Sequence, residues 1–420
     1  MQRNSIRVNG GVSLQGKVKI QGSKNAALPI LAASLLTCGE NIFYNCPKIS
    51  DVFQMKQLLI SLGCEIRERN DCICVVTDNA KNGRMPTEAV QGMRSSVCML
   101  SVLLARSNEV TMEYPGGCVI GARPIDFHLQ ALEKMGAEFR IEKNMIHGIV
   151  KDGFHGADIV CPKTSVGATE NVILAAVLAK GDTRIEGAAR EPEVVELCQY
   201  LMKCGACIKG IGTSCLLIRG VERLQGCSVK IPADRIVAGT YVFAAVVAGG
   251  SVLLEEAPCE QMGAILSVAE QMGAICQADS DGLYIQAPQQ VRTVPYIRTG
   301  VYPFFPTDLQ SVVLVASLRS EGSTVIEETI FENRFHVVKP LQSMGASVWI
   351  LDEKKVKVTG GKALHGKEVE ARELRGGAAM VLAGLMAEGI TVVNGCEYIM
   401  RGYENICKDL RELGARITSV

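Results

Sequence analysis

Aromatic side chains are scarce in this sequence. Phe, Tyr and Trp make up 5% of its 420 residues, with a single tryptophan, while 48% of the residues are hydrophobic. The core must therefore be aliphatic and alanine-rich, not built around large rings. Net charge is missing too, because 44 basic and 44 acidic residues cancel. That balance argues against broad electrostatic binding to nucleic acid or acidic membrane and leaves room only for a local cationic pocket. No Walker sequence and no GxGxxG behind a strand is present, so nucleotide hydrolysis and dinucleotide redox chemistry lose support. The first ten residues are polar and lack the basic, apolar, small-residue order of a secretory signal. Cysteine, by contrast, is abundant, with 17 copies. They are dispersed, and several (Cys98, Cys198, Cys204, Cys276) fall in apolar helix or strand patterns, where a thiol acts as a small hydrophobe. Cys72-x-Cys74 has no second pair or histidine nearby and reads as alternating strand residues, not a zinc site. The expectation is a reduced, cytoplasmic protein.

What is present is a repeat. Six times an amphipathic pattern runs out at a glycine followed by a small residue and a strand pattern. The copies are Leu62-Gly63-Cys64, Met135-Gly136-Ala137, Cys204-Gly205-Ala206, Met272-Gly273-Ala274, Met344-Gly345-Ala346 and Leu413-Gly414-Ala415, with successive glycines 68 to 73 residues apart. Such a period means one supersecondary unit used six times. Glycine at the C′ position ends a helix without a Cβ penalty.

Each unit carries a second helix pattern, at 26–36, 95–105, 168–179, 236–248, 309–318 and 377–387, rich in Ala, Val, Leu and Gly and nearly without charge. A helix apolar all round is buried on every side. At about 10 to 13 residues each falls short of the ~20 needed to span a bilayer. A β-rich run follows each, then a loop, then the amphipathic helix (124–134 and 192–203 are clear cases), then two strands such as 138–142 and 145–150. The order is β, buried helix, β, surface helix, β, β. Three units about a shared axis make one domain, with apolar helices inside and sheets and amphipathic helices outside. The fold expected is α/β, with two inside-out domains of three βαβαββ repeats. Domain I spans 24–232, and domain II joins 1–23 to 233–420.

Polar residues collect at two phases of the repeat. One is the start of the buried helix: Lys24-Asn25, Arg94, Lys163, Asp234-Arg235, Asp308 and Arg375. The other is the loop before the surface helix: Cys118 with Arg123, Glu191, Arg334 and Arg401. A buried helix presents N–H groups and a positive dipole end at the first phase, a ready anion site, and arginine adds a rigid fork for phosphate or carboxylate. One charge at such a place is ordinary surface chemistry. The same phase used repeatedly points to a cationic cleft for a small substrate with several negative charges. Within it, Tyr114-Pro115-Gly116-Gly117-Cys118-Val119-Ile120-Gly121-Ala122-Arg123-Pro124 reads as a mobile loop, whose thiol near cations is suited to nucleophile or proton-donor work. His128 fits a structural hydrogen bond or a substrate neighbour equally well.

Eight segments together resemble the UDP-N-acetylglucosamine 1-carboxyvinyltransferase family. They are Gly22-Ser23-Lys24-Asn25-Ala26-Ala27-Leu28-Pro29, Pro115-Gly116-Gly117-Cys118, Ile120-Gly121-Ala122-Arg123-Pro124, Ser165-Val166-Gly167-Ala168-Thr169, Ala189-Arg190-Glu191-Pro192-Glu193, Phe305-Pro306-Thr307-Asp308, Phe331-Glu332-Asn333-Arg334 and Arg401-Gly402-Tyr403-Glu404. They run in order over essentially the whole chain. The resemblance implies two inside-out α/β domains with the active site in the cleft between them. It also implies transfer of the enolpyruvyl group of phosphoenolpyruvate to the 3′-hydroxyl of UDP-N-acetylglucosamine, with release of phosphate and with no metal or cofactor.

By the same resemblance Cys118 is the general acid at the methylene carbon and Asp308 the base near the sugar hydroxyl. Lys24, Arg123 and Arg401 grip the phosphate or carboxylate of phosphoenolpyruvate, with Arg94 and Arg375 assisting. Asn25 and Arg334 position sugar and loop. Arg123, Pro124, Ile125, Asp126 and Phe127 hold the uridine diphosphate with Lys163, Ser165, Val166 and Gly167. Glu191, Ile330 and Glu373 complete the substrate-binding set. Three positions depart from the family pattern: Glu373 and Met400, each in place of an Asp or other acid, and Val237 in place of Glu. They keep open a slow or non-catalytic paralogue that binds the same UDP-sugar. A 3-phosphoshikimate 1-carboxyvinyltransferase is the remaining alternative, although that family lacks the Gly-Gly-Cys loop. No partner beyond the two substrates is implied, and the oligomeric state is left open.

Overall fold

The computed structural model describes residues 5–69, 71–78, 97–114 and 125–420. Its architecture follows from the two kinds of helix. The apolar ones are Lys24–Ala33, Cys98–Ser107, Val166–Ala176, Arg235–Ala248, Gln310–Ser317 and Leu374–Met386, and they are buried along almost their whole length. The amphipathic ones bury a single stripe. In Pro192–Lys203 that stripe includes Val194, Leu197, Cys198 and Leu201, at the three- and four-residue spacing of one helix face. Burying each such aliphatic side chain contributes roughly 1.5–3 kcal/mol.

All six repeat glycines sit in the left-handed region: Gly63 at φ 96°, Gly136 at 101°, Gly205 at 106°, Gly273 at 101°, Gly345 at 101° and Gly414 at 89°. Each follows the C-cap residue of an amphipathic helix. At five of them the chain makes both bonds of a Schellman motif. Cys64 N donates to Leu59 O and Gly63 N to Ile60 O, and the same pair recurs at Gly205, Gly273, Gly345 and Gly414.

The chain divides into two compact units. One joins the described residues up to Gln21 to Ala233–Val420, and the other comprises the described residues from Gly22 to Pro232. Each unit has its own aliphatic core. In the first, the Arg235, Gln310 and Leu374 helices pack on one another. In the second, the Cys98 helix packs on the Val166 and Lys24 helices.

Tyr296–Arg298, Ser323–Glu327, Ser347–Asp352 and Lys355–Thr359 illustrate the repeat sheet. The strand before the buried helix pairs parallel with the strand after it, with Ile297 opposite Ile326. The terminal hairpin adds its second strand antiparallel, with Ile326 opposite Val356. Those residues face the core, while Tyr296, Arg298 and Lys357 at alternate positions are exposed.

The sheets do not all draw their strands from a single repeat. Leu14–Lys19 precedes the Lys24 helix in sequence but pairs parallel with Gly250–Glu255, which follows the Arg235 helix. Ser228–Lys230 precedes the Arg235 helix but pairs with Glu40–Tyr44, which follows the Lys24 helix. The first strands of two repeats are thus exchanged. Ile6–Asn9 lies between Ile390–Asn394 and Arg416–Ser419 and closes the last sheet from the far end of the chain. A strand supplies backbone N–H and C=O partners to its neighbours, and the sheet is indifferent to where in the chain that strand originates.

Candidate functional site

In the Gly22–Pro232 unit, Ser23 caps the first buried helix, its hydroxyl accepting from Ala26 N at 3.3 Å. The cap sets Lys24 at the helix start, where its Nζ lies 2.7 Å from Asp51 Oδ2, with the two side chains 12% and 3% exposed. Asp51 stands in the first turn of the surface helix Ser50–Ser61, where the helix dipole favours an acid. The ammonium is therefore anchored and nearly out of water, with Asn25 half-buried beside it in the chain.

Ser165 caps Val166–Ala176, accepting from Ala168 N at 3.4 Å. A Cβ on Gly167 would lie 3.0 Å from His128 Nε2. His128, on Asp126–Lys134, is thus buried against the start of the Val166 helix. That packing brings the exposed Asp126 and Phe127 to the same place as the half-buried Ser165, Val166 and Gly167, while Ile125 lies in the core. Lys163 is exposed. Glu191 is the buried N-cap residue of Pro192–Lys203. It lies near Glu170 on the Val166 helix, whose carboxyl pKa is pushed well up by burial and by its neighbours Glu193 and Glu191. Three carboxyls, Glu170, Glu191 and Glu193, thus lie near one another among the described residues. Arg94, Cys118, Arg123 and Pro124 lie outside the described residues.

In the other unit Asp308 is the centre of a charged cluster. Arg334 Nη2 donates to its Oδ1 at 2.9 Å, and Arg375 Nη2 and Nε donate to its Oδ2 at 3.3 and 3.4 Å. The Asp308 side chain keeps 26% exposure while both arginines are 3% exposed. A buried arginine is expensive unless paired. Here each also lies over a ring, Arg334 at 5.1 Å from the Phe331 centroid and Arg375 at 5.4 Å from that of Tyr403. Burial opposes the Arg375 charge, but Tyr403, Asp308 and Asp234 together hold its pKa above the ordinary guanidinium value. Tyr403 is fixed by a 2.8 Å hydroxyl contact with Thr240. Arg401 is half-buried in the turn before it.

Two helix starts expected as anion sites are already filled. Asp234 Oδ1 accepts Ile236 N at 2.8 Å and Val237 N at 3.1 Å. Glu373 accepts Arg375 N at 2.8 Å and also Gly376 N. A capping carboxylate satisfies the same N–H groups and the same dipole that a bound anion would use, so the chain's own acids occupy both.

Sequence reasoning missed three residues. Asp51 had a signal, as an acid in the first turn of a surface helix at the phase also used by Asp126 and Glu193. Glu328 had none. It is 1% exposed and accepts from Thr307 Oγ1 at 2.8 Å, Ile330 N at 2.8 Å and Phe331 N at 3.1 Å. Gln21 had none either. Its side chain donates to Gly402 O at 3.1 Å and accepts from Glu404 N at 2.8 Å, pinning the turn behind Arg401 from a position 381 residues away.

Comparison with known proteins adds the following. Residues 8–410 match the EPSP synthase (3-phosphoshikimate 1-carboxyvinyltransferase) family. The chain is 43% identical over 417 residues to a UDP-N-acetylglucosamine 1-carboxyvinyltransferase of Oleidesulfovibrio alaskensis, covering 99% of each chain. A protein of the same description from Nitratidesulfovibrio vulgaris is 43% identical over 414 residues, again over 99% of each. Among solved structures, the enolpyruvyl transferase NikO from Streptomyces tendae superposes with a TM-score of 0.86 at 20% identity, covering 100% of this chain and 99% of that one. An EPSP synthase from Acinetobacter baumannii superposes at 0.77 with 18% identity, covering 99% and 100%. Both share the fold.

Proposed function

The chain belongs to the EPSP synthase family, and within it to the UDP-N-acetylglucosamine 1-carboxyvinyltransferases; from that membership we propose that it transfers the enolpyruvyl group of phosphoenolpyruvate to the 3′-hydroxyl of UDP-N-acetylglucosamine, releasing phosphate. The carrying observation is 43% identity over 99% of both chains. It favours this substrate over 3-phosphoshikimate, since identity to the EPSP synthase structure is 18%.

On this reading the reaction is an addition followed by an elimination. Asp308 removes the proton of the sugar hydroxyl, whose oxygen attacks C2 of phosphoenolpyruvate as Cys118 delivers a proton to the methylene carbon. The tetrahedral adduct then loses a proton from that carbon and expels phosphate, restoring the double bond. Lys24, Arg123 and Arg401, helped by Arg94 and Arg375, hold phosphate and carboxylate. Asp126, Phe127, Lys163, Ser165, Val166 and Gly167 hold the uridine diphosphate. The Asp308 cluster supports the reading through geometry, because two buried guanidiniums fix the direction of its carboxylate.

Two of the three departures have structural places of their own: Glu373 caps its helix and Val237 is buried in the core. The reaction is the first committed step of peptidoglycan synthesis, a cytoplasmic step on which cell shape and division depend, and Cys118 is the thiol that fosfomycin alkylates.

Phosphate release from phosphoenolpyruvate with UDP-N-acetylglucosamine tests the reading. Release is expected, abolished by prior fosfomycin and by Cys118→Ala, with UDP-sugar binding retained in the variant. No release from the wild-type chain would overturn it.

A further inference from the structure

We infer that Glu328 is a positioning residue for the base Asp308, acting through the hydroxyl of Thr307 and the guanidinium of Arg334. The inference rests on the proposed function for its catalytic meaning and on geometry for its substance. A carboxylate only accepts hydrogen bonds, and a threonine hydroxyl has one proton to give. Glu328 Oε2, 2.8 Å from Thr307 Oγ1, claims that proton. The lone pairs of Thr307 are then left for Arg334, whose Nη1 donates to Oγ1 at 2.6 Å while its Nη2 donates to Asp308 at 2.9 Å. The direction of each bond follows from the one before it.

The other oxygen of Glu328 anchors a second neighbour of the same arginine. Oε1 accepts the backbone N–H groups of Ile330 and Phe331, and the Phe331 ring lies against the Arg334 guanidinium. Glu328 is 1% exposed and accepts three hydrogen bonds, all from neutral donors. A buried acid so placed costs desolvation. What it secures is a single orientation of Arg334, and through it the aim of the Asp308 carboxylate.

The test begins with wild-type phosphate release, whose absence would sink the functional reading and leave the geometry untouched. Given an active wild type, Glu328→Gln should lower kcat by about 10- to 100-fold with KM for both substrates within about threefold, since misaiming a reacting group affects the chemical step. Its melting temperature should stay within about 4 °C of wild type. Thr307→Val breaks the same relay without touching the buried acid, so it carries the test should Glu328→Gln misfold. It should reproduce the kcat loss, and the double variant should be no slower than the worse single one. Wild-type kcat in both single variants, a change confined to KM, or losses that multiply in the double variant would overturn the inference.

Discussion

The carboxylate of Glu373 accepts the backbone N–H of Arg375 at 2.8 Å and that of Gly376, so the acid that is one methylene longer than the family's aspartate is the cap of the Leu374–Met386 helix. Arg375 is the second residue of that helix and pairs with Asp308. Cap and cluster are therefore linked through one turn of backbone. Glu373→Ala should destabilise the chain by about 1 kcal/mol, the usual worth of an N-cap, and slow phosphate release. Glu373→Asp should keep both stability and activity, because aspartate caps as well. Urea unfolding and the phosphate assay check both variants. A severe activity loss in Glu373→Asp would mean that the site has been rebuilt around the longer side chain.

Lys24 and Asp51 form an enclosed ion pair in the Gly22–Pro232 unit, their side chains 12% and 3% exposed. Asp51→Ala leaves the ammonium without its 2.7 Å counter-charge, a loss on the order of 3 kcal/mol for a buried pair. KM for phosphoenolpyruvate should rise in that variant. The double replacement Lys24→Met/Asp51→Leu should recover most of the stability yet remain inactive, because two matched apolar groups need no partner. Equal stability in all three proteins would show that the pair is solvated.

The six helix-ending glycines share a conformation but not a neighbourhood, so substitution should separate them. At Gly205 a Cβ meets nothing within 4 Å, and Gly205→Ala should cost only the left-handed backbone penalty of about 1–2 kcal/mol. At Gly136 a Cβ would lie 2.8 Å from His155 Nε2, so Gly136→Ala should cost more unless that ring swings aside. Denaturant midpoints rank the two. Gly136→Ala proving the milder variant would contradict the packing at His155.

Asp409 Oδ2 accepts from Tyr241 Oη at 2.5 Å. Burial pushes its pKa up to about 6, with Glu412 and Glu404 adding to the rise and Tyr241 and Lys408 opposing it. An acid whose folded pKa exceeds its unfolded value of about 3.9 holds its proton more tightly when folded. Its stabilising contribution is present below about pH 4 and is lost as pH rises through about 6. Across that window the unfolding free energy of Asp409→Asn should gain on the wild type by on the order of 2–3 kcal/mol. A difference that stays flat with pH would show that Asp409 titrates as an ordinary carboxylate.

Legibility in the sequence followed the range of the interaction. Gly63, Gly136, Gly205, Gly273, Gly345 and Gly414 could be read because a C′ glycine answers to the few residues before it. The buried helices could be read because a short helix that is apolar all round must be covered on every side. Asp308, Arg334 and Arg375 were marked separately by motif, but their meeting on one carboxylate was invisible, since it depends on how two buried helix starts and a loop pack. Glu328 and Gln21 left no trace at all. Apart from the Thr307 hydroxyl, their partners are backbone N–H and C=O groups, which every residue carries and no pattern distinguishes.

The exchanged strands mark the same boundary. By itself the amino-acid sequence determined the kinds of element, their sixfold recurrence, the helix ends and the residue types available for chemistry, because propensity, capping and amphipathic period act within a few residues of one another. Only the tertiary structure decided that Leu14–Lys19 joins Gly250–Glu255, that Ser228–Lys230 joins Glu40–Tyr44, and that Ile6–Asn9 closes the last sheet. It likewise decided that the helix starts at Asp234 and Glu373 are filled by the chain's own carboxylates. Strand edges and helix ends state only that a partner is required; the packing of the whole chain selects which one arrives.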